Sequence, residues 1–457
     1  MRSGHRIVTA VALFGLLATM AATSAAAADW TRFRGPNGSG IATDEKPVPD
    51  SWSASKNRKW KTELPGPGAS SPIVVGDRVF VTAWSGYGVD RGGSGDMEDL
   101  RRHLVCIDRN TGETLWSKTV EPDLPEDRYT GTFAQNGYAS HSPVSDGQRV
   151  YVFFGKTGVL AYDLEGNQLW HKKVGSGLDP RNWGSASSPI LYKNLLIVTA
   201  SAESKSLIAL NKETGEEVWK KTADGFAGVW GTPVLVEIDE NRTDLVLAVP
   251  NEIWGFNPDT GKFVWYCLAM RNNSYCSSLV AENGVVYAIE SMGGGSIAVR
   301  AGGEGDVTDT HIVWSGRDNS RIATPLVHEG RIYFVARNVA NCLDASDGSR
   351  VYRTPLTGGT AAAAPPGGGG GRTPGGFGGG GGRGGQEYSS PIAAGGKVYY
   401  VSRSGDGYVY KLGDKLEQVS TNRLSDARGE EFVATPAISD GELFIRSSTH
   451  LYCIAEK

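Results

Sequence analysis

The stretch at residues 71–81, SPIVVGDRVFV, contains the pattern on which the fold depends. A serine–proline step opens two short runs of apolar and β-branched residues, and Gly76-Asp77 between them is a typical turn pair. A third run at residues 104–108, a second turn and a fourth run at 114–116 complete the unit. Glycine supplies the positive φ that such tight turns need. The stretch therefore predicts four short strands joined by tight turns.

The opening step recurs along the chain. Its eight anchors are Ser71-Pro72, Ser142-Pro143, Ser188-Pro189, Thr232-Pro233, Ser278-Leu279, Thr324-Pro325, Ser390-Pro391 and Thr435-Pro436. Five of the seven spacings lie between 44 and 46 residues, and the other two are 71 and 66, which indicates a fixed unit with two insertions. Four short strands in about 45 residues are typical of a propeller blade. The sequence predicts an all-β fold, an eight-bladed β-propeller of four-stranded blades, with seven blades as the alternative.

A second motif closes several of the units. Residues 108–116 read DRNTGETLW, and the same Thr-Gly and Trp spacing returns at 211–219 and 257–265. This pattern resembles the tryptophan-docking repeat of the PQQ-like, or quinoprotein-type, β-propeller family, over residues 58–457. Six tryptophans fit the role of covering the gap between blades: Trp60, Trp116, Trp170, Trp219, Trp265 and Trp314. Units five, seven and eight depart from the pattern.

Ring closure is also predicted. The last unit ends at residues 451–454 with no fourth strand after it, whereas Trp60 precedes the first anchor at the distance of a docking tryptophan. Residues 59–62 are therefore expected to supply the missing outer strand of the last blade. Such closure leaves no open circular edge that could pair with other chains.

The remaining segments define the domain organisation. Residues 1–28 have basic, apolar and small-residue parts in the order of a secretory signal peptide, 29–57 form an N-terminal extension, and 58–457 form one propeller. Residues 358–385 contain 16 glycines and are predicted to be a disordered insertion. No cysteine lies at the cleavage region, so we expect an exported, soluble protein of the periplasm or the extracellular space that is not a lipoprotein.

Composition restricts the partners. The 46 basic and 50 acidic residues are nearly balanced, which disfavours nucleic acid as a ligand. Five cysteines cannot all pair, and the bridge between Cys267 and Cys276 is left open. We expect no transmembrane span after signal removal, a monomeric ring, and partners among other envelope proteins.

The longest insertions fall on one face of the predicted ring, where loops enter the innermost strands and join strands two and three. They are residues 84–103, 121–141 and 354–388. We call this the insertion face, and the opposite one the turn face. The residues that precede the anchors here are predicted to bind a ligand or partner, or to pack on one another in the channel: Asn136, Tyr138, His141, Trp183, Trp230, Tyr275, Arg321 and Tyr388.

The resemblance implies two branches of function. Its catalytic members are dehydrogenases that hold pyrroloquinoline quinone and calcium, typically with a vicinal cysteine pair over the quinone. Its non-catalytic members include the propeller subunit of the outer-membrane protein assembly machinery. Because no two cysteines are adjacent and no acid matches a catalytic position, we expect no catalytic residues, no metal and no cofactor, and a binding or protein-interaction scaffold. The alternatives are a quinoprotein-type dehydrogenase that binds pyrroloquinoline quinone and calcium, and a carbohydrate or envelope-polymer binding module.

Overall fold

The computed structural model describes ten stretches of the chain: residues 29–43, 46–89, 95–129, 137–179, 181–271, 274–290, 295–320, 322–360, 388–424 and 429–456. The predicted signal peptide and most of the predicted glycine-rich insertion lie outside these residues. No helix in this part of the chain is long and apolar enough to cross a bilayer.

Eight sheets form the ring and confirm the eight predicted blades. From the channel outward, blade 1 is built from β2 (Ile73–Val75), β3 (Arg78–Ser85), β4 (Arg101–Asp108) and β5 (Thr114–Val120), and blade 2 from β6 (Val144–Ser145), β7 (Arg149–Phe153), β8 (Val159–Asp163) and β9 (Gln168–Lys172). Blade 3 is built from β10 (Ile190–Tyr192), β11 (Leu195–Ala200), β12 (Ser206–Asn211) and β13 (Glu217–Thr222), and blade 4 from β14 (Val234–Asp239), β15 (Arg242–Val249), β16 (Glu252–Phe256) and β17 (Phe263–Leu268). A fifth strand, β21 (Gly305–Asp306), pairs with the outside of blade 4.

Blades 5–8 follow the same plan. They consist of β18 (Val280–Glu282), β19 (Val285–Glu290), β20 (Gly295–Arg300) and β22 (Ile312–Gly316); β23 (Leu326–His328), β24 (Arg331–Ala336), β25 (Val339–Asp344) and β26 (Arg350–Pro355); β27 (Ile392–Ala394), β28 (Lys397–Val401), β29 (Asp406–Lys411) and β30 (Gln418–Arg423); and β31 (Ala437–Ser439), β32 (Glu442–Arg446), β33 (His450–Ile454) and β1 (Arg58–Glu63). The helices that lie wholly within the described residues are single turns: Pro36–Gly38, Met97–Asp99, Gly155–Thr157, α1 (Ser201–Ser204), Asp224–Phe226 and α2 (Thr308–His311).

The chain closes the ring as predicted. β1 pairs antiparallel with β33, and Trp60 lies opposite Cys453. Blade 8 thus takes three strands from the C-terminal end of the chain and its outermost strand from the N-terminal end. This join leaves no open circular edge between the last blade and the first.

The anchor residues form a closed ring of hydrogen bonds around the channel. At each anchor, the backbone N–H donates to the hydroxyl of the next anchor, at 2.9–3.1 Å. The eight hydroxyls, which we call the hydroxyl ring, belong to Ser71, Ser142, Ser188, Thr232, Ser278, Thr324, Ser390 and Thr435. All eight bonds are buried, so each satisfies a backbone donor that water cannot reach. The repeat therefore requires a hydroxyl at the anchor as well as a small side chain.

The docking tryptophans join the outer parts of five blade pairs. Each indole Nε1 donates to a backbone carbonyl of the next blade at 2.7–3.1 Å: Trp60 to Arg109, Trp116 to Leu164, Trp170 to Lys212, Trp219 to Pro258 and Trp314 to Ala345. The rings also lie against turn glycines, since a Cβ on Gly261, where φ is +65°, would be 2.5 Å from the Trp219 ring.

The sixth tryptophan departs from this pattern. Trp265 is buried among residues of blades 4 and 5, but its Nε1 donates at 2.7 Å to the Asp244 carboxylate in its own blade. The reason is the longer connection at residues 301–311 of blade 5, which contains β21 where the other blades have a tight turn. Between blades 7 and 8, Trp52 of the N-terminal extension packs in the core and lies against Gly407.

The N-terminal extension fills the channel. Trp30 pairs antiparallel with Val74 of blade 1, whereas Ile41 pairs parallel with Ala393 of blade 7. The innermost strands run from the insertion face to the turn face. The antiparallel pairing of Trp30 therefore means that the segment enters the channel from the turn face, and the parallel pairing of Ile41 means that it runs back toward that face. At its far end the Arg32 guanidinium reaches the Pro233 carbonyl of blade 4, at 3.4 Å. We call residues 29–42 the channel plug.

Arg34 fastens the plug to a further part of the channel wall. Its guanidinium is fully buried and donates five hydrogen bonds of 2.7–3.2 Å, to the carbonyls of Gly38, Ser39, Thr324, Pro325 and Pro391. A guanidinium has five N–H donors, so every one has an acceptor. Burial lowers the pKa of Arg34 to about 9. The side chain therefore links the plug to blades 6 and 7 without a carboxylate.

Candidate functional site

The insertions build a second, smaller core on the insertion face. It is separate from the blade cores and consists of Trp84, Tyr87, Met97, Leu100, Tyr129, Tyr138 and Ala139. The Tyr138 ring centroid lies 5.0 Å from that of Tyr129 and 6.0 Å from that of Trp84. We call the described residues of 84–103 and 121–141 the insertion mound. It is a packed structure with its own apolar centre.

A buried ion pair supports this mound. Arg102 and Glu126 have side chains that are each 2% exposed, and their charged atoms are 2.8 Å apart. The same Arg102 nitrogen donates at 3.0 Å to the Thr157 hydroxyl of blade 2. Beside it, Lys156 Nζ lies 2.5 Å from the Asp127 carboxylate. Buried charges are costly unless they are paired or fully hydrogen-bonded, so these contacts hold the mound against blade 2.

Glu203 is a carboxyl buried next to these charges. It lies in α1 of blade 3, and its Oε1 accepts from the Ser185 hydroxyl at 2.5 Å. Its Oε2 is buried without a hydrogen-bond partner. Burial raises the pKa of Glu203 to about 7, and the charges of Asp127 and Glu126 act in the same direction. The carboxyl thus changes its charge near neutral pH.

Three of the predicted site residues come together beside blades 3 and 4. The rings of Trp183 and Trp230 are 5.0 Å apart, and Trp230 Nε1 donates to the Gly184 carbonyl at 2.7 Å. The Trp230 N–H donates to the carbonyl of Tyr275, whose own side chain is buried. Trp183 is half-buried. The Arg181 guanidinium also lies 5.6 Å from the Trp230 ring centroid, and binding of a ligand at this pair stays a prediction.

Three other predicted residues have different surroundings. Tyr138 is inside the insertion mound, and Tyr388 lies half-buried with the Arg403 guanidinium 5.2 Å from its ring centroid. His141 is buried 4.4 Å from the Phe153 ring, and burial lowers its pKa to about 3. It is therefore neutral and enclosed near neutral pH. Asn136 and Arg321 lie outside the described residues. Ligand binding at these positions stays a prediction.

The sequence did not reveal the charged residues of this face or the plug. Arg102, Glu126 and Glu203 lie in or beside irregular loops, where no periodicity marks a buried position. The only trace of the plug was a pair of arginines, Arg32 and Arg34, among aromatic and glycine residues. Such a pattern also fits an exposed basic arm, so it could not indicate burial.

The turn face carries a cavity of about 380 Å³ where blade 8 meets blade 1. Four of its six charged side chains bind one another, since Lys46 lies 2.5 Å from Asp440 and Arg109 lies 2.5 Å from Glu442, and the other two are Asp77, which accepts from the Asn110 amide, and Glu456. The cavity therefore offers few free charged groups to a ligand. The insertion face is the better candidate for a functional surface.

The closed ring and its docking tryptophans define a β-propeller of the PQQ-like class. A family model described as outer membrane protein assembly factor BamB matches residues 97–204 and 194–415, which together span more than half of the chain. The chain belongs to this family.

The individual relatives include a BamB protein and two dehydrogenases. BamB from Moraxella catarrhalis superimposes with a TM-score of 0.57 and 11% identity, covering 88% of this chain and 97% of that one. Quinohemoprotein alcohol dehydrogenase from Comamonas testosteroni gives 0.58 and 13%, covering 94% and 81%. Quinoprotein ethanol dehydrogenase from Pseudomonas aeruginosa PAO1 is 32% identical over 155 residues, which are 30% of this chain and 23% of that protein. The structural likeness shows the shared fold alone.

The described residues do not fit a quinone with a calcium ion. Between the innermost strands, the space is taken by the plug, with Trp30 and Arg34 fully buried. Among the described residues, no group of His, Cys, Asp and Glu side chains could hold a metal ion. The sequence also has no adjacent cysteines. We therefore derive no reaction step through these groups.

Proposed function

We propose that this protein is an exported, non-catalytic scaffold of the cell envelope that binds other proteins through its insertion face. The observation that carries the proposal is the channel plug, because the chain's own segment occupies the space in which a propeller could hold a small ligand. The packed insertion mound supports the second part of the proposal. Extra, ordered structure on one face of a repeat ring is a frequent mark of a binding surface.

The envelope location is supported by two observations. The family description names outer membrane protein assembly, and residues 1–28 have the composition of a signal peptide. We expect the mature protein to begin near Asp29. Mass spectrometry of the protein isolated from the envelope checks this, and a product that keeps residues 1–28 contradicts it.

Site-specific photo-cross-linking tests the scaffold. A cross-linking side chain is placed at Leu178, which is 53% exposed on the insertion face, and a matched one at Lys46 on the turn face. The proposal expects envelope proteins to be captured from position 178 and not from position 46. Capture from position 46 alone, or from neither position, contradicts it.

The second candidate function is that of a quinoprotein-type dehydrogenase, which would bind pyrroloquinoline quinone and calcium as cofactors. The 155-residue match to quinoprotein ethanol dehydrogenase favours it, whereas the occupied channel opposes it. The matched segment covers only 23% of that relative. The two candidates differ in one property, namely binding of the quinone.

A further inference from the structure

The outermost strand of blade 3 is exposed along almost its whole length. In β13, only Trp219 is buried, and the other five residues are exposed. Val218 is 51% exposed although it is a large apolar residue. Among the described strands, β13 pairs only with β12, so its outer edge has unpaired backbone groups. Such an edge is a ready template for a further strand.

The chain itself uses the neighbouring blade's edge in this way. On blade 4, β21 pairs parallel with β17, with Trp265 opposite Gly305 and Tyr266 opposite Asp306. The Val307 N–H extends the pairing by donating to the Tyr266 carbonyl at 2.9 Å. An outer strand of this propeller therefore accepts an extended segment, and it does so in the parallel direction.

The charges of β13 are ordered along the strand. Glu217 lies at its beginning, and Lys220 and Lys221 lie near its end. None of the three forms an ion pair with a described residue. A parallel partner strand would match this order with a basic residue at its beginning and carboxylates at its end, because opposite charges on paired strands attract and like charges repel.

We propose that β13 binds an extended segment of a partner protein, which adds to blade 3 as a parallel fifth strand. The segment presents an apolar side chain to Val218 and carboxylates to Lys220 and Lys221. Main-chain hydrogen bonds provide the affinity, and the side-chain pattern selects the segment. This inference deepens the proposed scaffold function and rests on it, but it uses the outer rim of the ring and not the insertion face.

Two peptides of identical composition test the direction and the charge order. The probes are Lys-Val-Thr-Glu-Glu-Thr, which in parallel register with Glu217–Thr222 places Val opposite Val218 and Glu opposite both Lys220 and Lys221, and its reverse, Thr-Glu-Glu-Thr-Val-Lys, both with blocked ends, added to the full-length protein. Hydrogen exchange of the β13 amides is measured. The first peptide is expected to slow exchange by about tenfold at saturation and the reverse peptide to have little effect. No protection by either peptide, or stronger protection by the reverse one, overturns the proposal.

Substitutions locate the site. Val218→Glu and the pair Lys220→Glu/Lys221→Glu should remove the protection, whereas Leu169→Glu on blade 2 is the matched control and should keep it. Leu169 is 46% exposed and also directly precedes a docking tryptophan. Loss in the control overturns the assignment to blade 3. Cross-linking from Leu178 separates the two ideas, because a failure of β13 to bind peptide leaves capture on the insertion face unchanged.

Discussion

Arg34 in the channel and Glu203 beside the insertion mound are both buried, but the hydrogen bonding of the two side chains differs. In the channel, every donor of Arg34 reaches a backbone carbonyl. On the insertion face, Glu203 keeps one oxygen without a partner and lies close to other acids. A fully satisfied group stabilises the fold, whereas an unsatisfied one is usually kept for another reason. Arg32, whose Nε is buried without a partner, departs from this pattern within the channel, so the contrast concerns two residues: Arg34 stabilises the closed channel, whereas Glu203 is a candidate for function.

Removing the plug's guanidinium is the change with the largest expected effect. Arg34→Ala leaves several buried carbonyls without a donor, and we expect the free energy of unfolding to fall by at least about 4 kcal/mol. Urea denaturation measures the loss. Arg353→Ala, at an exposed arginine of blade 6, is the control and should change stability by less than about 0.5 kcal/mol. Equal effects of the two substitutions would show that the plug does not hold the channel closed.

Breaking the ion pair of the mound comes next. Arg102→Met leaves the Glu126 carboxylate buried and unpaired, which should lower the free energy of unfolding by about 3 kcal/mol. The double variant Arg102→Met/Glu126→Leu removes both charges and should recover most of the loss. Thermal unfolding of the two proteins compares them. If single and double variants lose the same amount, charge burial is not the reason for the effect.

Glu203 should give the protein a pH dependence of defined sign. Its pKa is raised to about 7 from an ordinary 4.5, so the folded protein binds the proton more tightly than the unfolded chain. The stabilisation that protonated Glu203 provides is fully present below the unfolded-state pKa of 4.5. It is lost as the pH rises through the folded-state pKa of about 7. Between about pH 4.5 and pH 8, wild-type stability should therefore fall by about 2–3 kcal/mol relative to Glu203→Gln.

Comparison of wild type with Glu203→Gln is needed because the titration of His141 changes the free energy of unfolding with pH in the opposite direction. Burial lowers the pKa of that imidazole, so its contribution to stability grows as pH rises through the acid range. Chemical denaturation of wild type and Glu203→Gln at several pH values isolates the glutamate. The exposed Glu304→Gln serves as the control. Parallel curves for wild type and Glu203→Gln would contradict the assignment.

Removing a single hydroxyl from the hydroxyl ring should have the smallest effect on the free energy of unfolding. Ser188→Ala removes the acceptor of the Ser142 N–H, and we expect a loss of about 1–2 kcal/mol because one buried donor is left unpaired. Ser188→Thr keeps the hydroxyl and should lose less. Urea midpoints compare the three proteins. An alanine variant as stable as wild type would mean that the ring of bonds adds nothing to closure.

The repeat made most of the fold predictable. Hydroxyl–proline anchors at a nearly constant spacing predicted eight blades, and Trp60 before the first anchor predicted how they close. Trp265 packs between blades 4 and 5 as predicted, but its indole N–H donates to Asp244 of its own blade, and no sequence pattern marks this difference because the connection that replaces the next blade's turn has no repeat pattern. The candidate site was less predictable, since the plug and the buried charges depend on contacts between distant segments. A residue such as Arg34 binds carbonyls about 290 and 357 positions away, and no local pattern encodes that.

Titration with pyrroloquinoline quinone and calcium tests the central claim most directly. The claim is that the chain's own N-terminal segment fills the channel and that the protein works as a binding scaffold. The full-length protein is titrated in the presence of excess calcium, and bound quinone is measured by absorbance after removal of free ligand. We predict no retained quinone at high micromolar concentration. Stoichiometric retention, particularly if Arg34→Ala leaves it unchanged, would contradict both the closed channel and the non-catalytic function.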